Sequence, residues 1–346
     1  MLKQYEALPP FSEHHAPLFF QPSLRPRRLP LPSMREWGRH ALLFLLTALT
    51  ATFAGIVLAA PNVEPALADP VRPLDYLTYV PLYYALSIWV LLQEVVRQPA
   101  LLAQGAKFAA ALLAILAAHE FGHYLACRRY RVFATLPFFL PAPPLFLAGT
   151  FGAFIKIKSP IPSRRALFDI GLAGPLAGFL VALPVAALGF LTARPLEKAI
   201  LEGLYFHDPL LYQGLGLIFG IDPANMAGNP FWFAGWVGLL VTSLNLLPVG
   251  QLDGGHAIYA LFGPRIHYWV SRFALLAMCS LTLFGLLHHG TPSGLLYTIL
   301  LFFVLRAGHP PLDEQSETLG RGRVVIAALT LLIFALCFLP FPISVF

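Results

Sequence analysis

Phe108-Ala109-Ala110-Ala111-Leu112-Leu113-Ala114-Ile115-Leu116-Ala117-Ala118-His119-Glu120-Phe121-Gly122-His123 sets two imidazoles and a carboxylate at the end of a long apolar run. Residues four apart share one face of a helix, so His119 and His123 can hold one Zn²⁺ while Glu120, beside them, activates a water. Such machinery is hydrolytic. The plainer alternative is a chance match. A Glu between the runs 108–118 and 121–126 would be costly in hydrocarbon unless it works there, which favours function.

Composition makes the surroundings of this stretch a membrane. Of 346 residues, 58% are hydrophobic and 12% are charged. The mean hydropathy is +0.70, beyond what a soluble domain covers with polar surface. Windows near 41–60, 104–127, 167–193, 231–249, 268–287 and 322–340 each approach the roughly 20 apolar residues that span a bilayer, and 76–93 and 295–305 are ambiguous. The expected fold is therefore all-α and polytopic, with about 6–8 membrane segments. One exception is residues 152–158, where Ile155 and Ile157 alternate with Phe154, Lys156 and Lys158. This alternation predicts a short strand, and with it a membrane-associated β-hairpin near 150–158.

Residues 1–39 read differently. Pro9, Pro10, Pro17, Pro22, Pro26, Pro30 and Pro32 interrupt any regular element, which predicts a disordered tail. The first apolar run starts too late for a secretory signal peptide, so 41–60 is expected to be a retained span.

The net charge of +6 is distributed as membrane topology, not as a nucleic-acid footprint. Lys3, Arg25, Arg27, Arg28, Arg35 and Arg39 precede the first span, and Arg128, Arg129, Arg131, Lys156, Lys158, Arg164 and Arg165 follow the His-Glu helix. Both segments are expected in the cytoplasm, which demands an even number of crossings between them. Residues 76–93, with four tyrosines and Pro81, then read as re-entrant or interfacial.

A catalytic zinc needs a third protein ligand and an open position. Cys127, Cys279 and Cys337 are too scattered for a disulfide framework or a thiolate site. The segment Asn245-Leu246-Leu247-Pro248-Val249-Gly250-Gln251-Leu252-Asp253-Gly254-Gly255-His256 is better suited. Pro248 and its glycines permit a broken backbone, tolerated at membrane depth only where buried or lining a cavity, so Asp253 can turn inward. An ordinary Asp-Gly turn is the alternative. His256, three residues on, suits a hydrogen-bonding role around the metal better than direct ligation. His40, His207, His267, His288, His289 and His309 fall at span ends or loops and are expected to be solvated.

With these motifs the chain resembles the site-2 proteases, intramembrane zinc metalloproteases that cut membrane segments of other proteins. The likeness rests on His119-Glu120-Phe121-Gly122-His123, Gly174-Pro175-Leu176-Ala177-Gly178 and Leu252-Asp253-Gly254, in family order, over about residues 100–262. It implies that His119, His123 and Asp253 bind one zinc and that Glu120 is the base. It also implies that Asn245 helps hold the substrate or its developing oxyanion. Where the family often has Asn-Pro-x-Pro, this chain has Asn245-Leu246-Leu247-Pro248.

Residues 195–230 are too few for an inserted PDZ domain, so the chain looks like the PDZ-lacking bacterial and plastid branch, including the plastid proteins named for ethylene-dependent gravitropism. Four parts are expected: the tail 1–39, a first span with the re-entrant segment over 40–100, the catalytic core 101–262, and further spans over 263–346. Gly171, Gly174 and Gly178 lie on one helix where the backbone can approach a neighbour closely, or simply pack. Asp169 reads as a cap or a solvated residue.

The function so implied is hydrolysis of a peptide bond within or near the transmembrane helix of a single-span substrate. The expected location is the bacterial cytoplasmic membrane, with the site toward the cytoplasm. The sheet edge at 152–158 could receive the unwound substrate as an added strand, or belong to a self-contained hairpin. A zinc-bound scaffold or chaperone without turnover, and an ion transporter, are the alternatives. The retained Glu120 argues against the first, and the absence of a repeat of the His-Glu half against the second.

Overall fold

The computed structural model describes residues 31–60, 63, 65, 67, 72–196, 204–289, 293–306 and 319–345. Helix α1 (Met34–Ala59) starts earlier than expected, because Ser33 and Glu36 form a reciprocal cap. Ser33 Oγ accepts from the Glu36 amide at 3.2 Å and the Glu36 carboxylate accepts from the Ser33 amide at 2.8 Å. Residues 34–39 are therefore helix, 31–33 lead into it, and residues 1–30 of the expected tail lie outside the described residues.

Three helices form the centre of the bundle: α3 (Ala100–Arg129), α4 (Arg164–Leu191) and α6 (Pro230–Asn245). Phe108, Leu112, Phe168, Phe190, Trp236 and Leu239 are buried where they meet. Contacts fix the directions. His40 Nδ1 lies 2.9 Å from the Pro137 carbonyl just past α3, while Gly55 packs on Gly105 near the start of α3, so α1 and α3 are antiparallel. His119 faces Gly178 and His123 faces Gly174 and Ile170, so α3 and α4 are also antiparallel. α6 returns toward the end where α3 stops, with Gly238 against Ile115 and Asn245 beside His119.

Among the described residues, five helices are long and apolar enough to cross a membrane: α1, α2 (Tyr76–Arg97), α3, α4 and α7 (Asp253–His289). Residues 76–93, read as re-entrant or interfacial, belong to an unbroken helix. The window 231–249 stops short at Asn245, where the chain leaves the helix for a series of turns. α7 covers more than 268–287. It is two helices joined at Gly263, whose φ of 83° and ψ of 178° suit a residue without Cβ, followed by Pro264. The ambiguous 295–305 lies in α8 (Ser293–Arg306), and 322–340 in α9 (Arg321–Cys337). Between α4 and α6 runs the short helix α5 (Leu210–Phe219).

The strand expected over 152–158 is β2 (Thr150–Phe154), and its antiparallel partner is not within 150–158 but earlier, β1 (Phe138–Pro141). A single bridge, Ala134 to Ile157, continues the pairing. The connection between β1 and β2 lies along α1, with Gly149 against Thr50 and Ala51 and Leu145 in the cluster of Ile56, Leu91 and Leu101.

Asp169 is neither a cap nor simply solvated. Arg323 of α9 grips both its oxygens, at 2.7 and 2.6 Å, and Tyr130 beyond α3 hydrogen-bonds the same carboxylate. This planar two-point contact ties the ends of three helices together. His40 and His267 are likewise buried and hydrogen-bonded instead of solvated.

Ser33 caps α1 and Ser163 caps α4, and the two antiparallel packings bring both to the same end of the bundle. Single cysteines at Ser33 and Ser163, in a chain freed of its native cysteines, are expected to react with an impermeant maleimide from the same face of sealed vesicles. Labelling from opposite faces would refute this arrangement.

Candidate metal centre

His119 and His123 sit one turn apart on the face of α3 that meets α4, and with Glu120 they are 4, 8 and 5% exposed. They fit there because α4 presents backbone instead of side chains. A Cβ on Gly174 would come within 2.5 Å of His123 Cε1, and one on Gly178 within 3.2 Å of His119 Cβ. Gly171 does the same for the start of α7, where an added Cβ would lie 2.9 Å from His256 Cβ. The glycine spacing therefore does more than general helix packing: it makes the space the imidazoles occupy.

One hydrogen bond orients the pair. His123 Nδ1 lies 2.7 Å from the Ile170 carbonyl and must donate to it, which leaves the Nε2 lone pair facing the cluster.

The third donor comes from the broken segment. α6 ends at Asn245, residues 246–252 form turns with Gly250 at φ 55°, and α7 begins at Asp253. Backbone groups freed by the break are held by the second part of α7. Ser271 Oγ donates to the Pro248 carbonyl at 3.1 Å, and His267 Nε2 lies 3.0 Å from the Gly250 carbonyl. Without such partners each buried group would cost several kcal/mol, by order of magnitude. Asp253 Oδ2 then reaches 3.3 Å from both His119 Nε2 and His123 Nε2, which are 3.1 Å apart.

Two nitrogens and one oxygen within 4.8 Å of one another are what a tetrahedral cation with an open position requires. Zinc bonds of about 2.0–2.1 Å at tetrahedral angles separate neighbouring donors by roughly 3.3 Å, close to the spacing found. His119, His123 and Asp253 form the one such group among the described residues.

Of the remaining predicted residues, Glu120 is buried on α3, next in the chain to His119. Asn245 Nδ2 is 3.5 Å from His119 Nε2, so the last residue of α6 borders the centre. His256 is half-buried on the first turn of α7, against Gly171 and outside the three-donor group. Cys127 is buried among Val132, Ala134, Ala166 and Ile170, a packing residue. His267 and Ser271 were not foreseen as part of this region, although two polar residues four apart on an apolar helix share a face. The Ile170 carbonyl, a backbone group, carries no sequence signal at all.

Gly174→Ala is expected to weaken metal binding roughly 10-fold or more, since overpacking costs about 1–3 kcal/mol and falls here on a donor ring. Gly322→Ala, with nothing within 4 Å of the added carbon, should leave it unchanged. Metal titration of the purified variants checks both, and equal affinities would show that the imidazoles do not depend on the α4 backbone.

Residues 107–284, just over half of the chain, match the model of peptidase family M50. Among curated proteins, the probable zinc metalloprotease EGY2, chloroplastic, of Oryza sativa subsp. indica is 31% identical over 248 residues, 70% of this chain and 44% of that protein. The probable zinc metalloprotease EGY1, chloroplastic, of Arabidopsis thaliana is 33% identical over 242 residues, covering 66% of this chain and 42% of the relative. The corresponding EGY3 protein of Oryza sativa subsp. indica is 27% identical over 244 residues, with coverages of 64% and 40%. This chain thus spans less than half the length of these relatives. The three-donor cluster lies inside the matched region, and the chain belongs to peptidase family M50, the site-2 protease family, as a member similar to the plastid EGY proteins.

Proposed function

We propose that this chain is an intramembrane zinc metalloprotease that hydrolyses a peptide bond within or near the transmembrane helix of a single-span membrane-protein substrate. The observation that carries the reading is the convergence of His119, His123 and Asp253 inside a bundle of apolar helices, with the Glu120 carboxylate beside them. Bound at those three side chains, one zinc per chain would act as a Lewis acid and lower the pKa of water from 15.7 toward about 7. Glu120 would take the proton from the attacking water at its carboxylate and pass it to the leaving amine. Asn245 would donate its amide hydrogen to the developing oxyanion, and His256 would support the first turn of α7 around Asp253.

The substrate helix must unwind, because its amides are otherwise bonded internally. β2 offers a place for it. In a two-stranded sheet each strand has one edge without a strand partner, and β2 packs against α3, the helix that carries Glu120. An unwound segment added along this edge would pass the site in extended form.

In this reading residues 101–262 are the catalytic core, 40–100 a flanking unit, and 263–346 additional segments that bring the total to about 6–8 with the hairpin against the membrane. The basic segments around Arg39 and Arg128 support a site toward the cytoplasmic face of a bacterial membrane in this reading. The curated relatives are named chloroplastic. A zinc-bound scaffold would not need Glu120 and is not favoured.

Purified protein is expected to hold about one zinc per chain. His119→Ala and Asp253→Ala should lose most of it. Full occupancy in Asp253→Ala would remove that residue from the ligand set.

Glu120→Gln should keep its zinc and its helical content yet lower cleavage of a reconstituted single-span substrate by at least about 10²-fold, since the amide cannot carry the proton. Asn245→Ala should slow turnover by roughly 10²-fold with zinc retained. Cleavage by Glu120→Gln at the wild-type rate would sink the protease reading.

A further inference from the structure

At the end of the bundle away from the metal centre, α1 finishes, α3 begins, α4 finishes and α6 begins. These elements surround a cavity of about 510 Å³. Among the described residues that line it, the charged ones are Lys107 of α3 and Arg194 just past α4, with no Asp or Glu. Gln104, one turn before Lys107, adds a neutral polar group, and Leu58, Leu101 and Phe231 supply apolar wall.

Lys107 stands two turns inside α3, about 10 Å from its first residue. The exposed side chains of Lys107 and Arg194 have no ion-pair or hydrogen-bond partner among the described residues. A lone lysine near a helix end lowers its cost by reaching for the headgroup layer. That explains one cation, but not a second one, brought from a different part of the chain to the same cavity. Two cations unpaired among the described residues, a neutral hydrogen-bonding group and an apolar wall match one amphiphile: a phosphate on top of hydrocarbon.

We propose that this cavity binds the phosphate of an anionic phospholipid, in the leaflet opposite the metal centre. Lys107 and Arg194 would hold the phosphate oxygens, and the first acyl carbons would lie along Leu58, Leu101 and Phe231. The same phosphate would link α1 and α3 to the connection between α4 and α6. This site does not depend on the protease reading, because none of its residues borders the metal centre.

The test uses the full chain in nanodiscs of phosphatidylcholine with a minor share of phosphatidylglycerol, followed by native mass spectrometry of the gently delipidated protein. Wild type is expected to retain phosphatidylglycerol selectively. The double variant Lys107→Gln/Arg194→Gln should lose at least ten-fold of that retention while keeping its circular dichroism and zinc content. Lys107→Arg should retain the lipid, which separates charge from shape and covers the case in which the double variant folds poorly. Lys156→Gln/Arg321→Gln carries the same charge change elsewhere and should behave as wild type. Equal retention by the Lys107/Arg194 variant, or equal loss by the control pair, would overturn the site. Displacement of the lipid by millimolar inorganic phosphate would assign it to free phosphate instead.

Discussion

The 2.7 Å hydrogen bond from His123 Nδ1 to the Ile170 carbonyl is the contact on which the rest of the molecule turns. It can form because α4 shows backbone, not side chains, to α3 at Gly174 and Gly178, and it aims the opposite nitrogen at Asp253. The residue just before that carbonyl is Asp169, which Arg323 and Tyr130 hold. A ring at the centre and an ion pair at the bundle end therefore share one turn of α4.

A second constraint follows from bringing a carboxylate to the imidazoles at membrane depth. Asp253 can face inward only if the chain breaks between α6 and α7, and a break exposes peptide groups that hydrocarbon cannot satisfy. α7 resolves this by itself. Its first part delivers Asp253, and after the bend at Gly263 its second part returns Ser271 and His267 to the carbonyls of Pro248 and Gly250. Arg164, at the start of α4, adds bonds to the carbonyls of Ala260 and Leu261 just before the bend.

Much of this was legible in the sequence because helical periodicity is local. His119 and His123 had to share a face, and Pro248 with its glycines had to interrupt a helix. Periodicity gives a face but not its partner. The glycines of α4 could be read as a close approach, but not as an approach to two particular rings. The strand at Thr150–Phe154 could be anticipated from alternation, while its partner at Phe138–Pro141 could not, since Pro141 and its neighbours carry no alternating pattern. His40, His267 and Asp169 were misread for one reason: polar residues near the ends of apolar runs look solvated until the element that covers them is known.

The order in which the chain is made gives the metal centre a history. Asn245 lies 126 positions after His119, and Asp253 follows later still. At roughly 5–20 residues per second, translation needs on the order of ten seconds to pass from the imidazoles to the carboxylate. Through that interval the newborn molecule owns the two imidazoles without the Asp253 carboxylate, and the stretch that carries it has not entered the bilayer. Completion of the three-donor group is then a late event in biogenesis, and a nascent chain stalled before α7 would lack it by its own geometry.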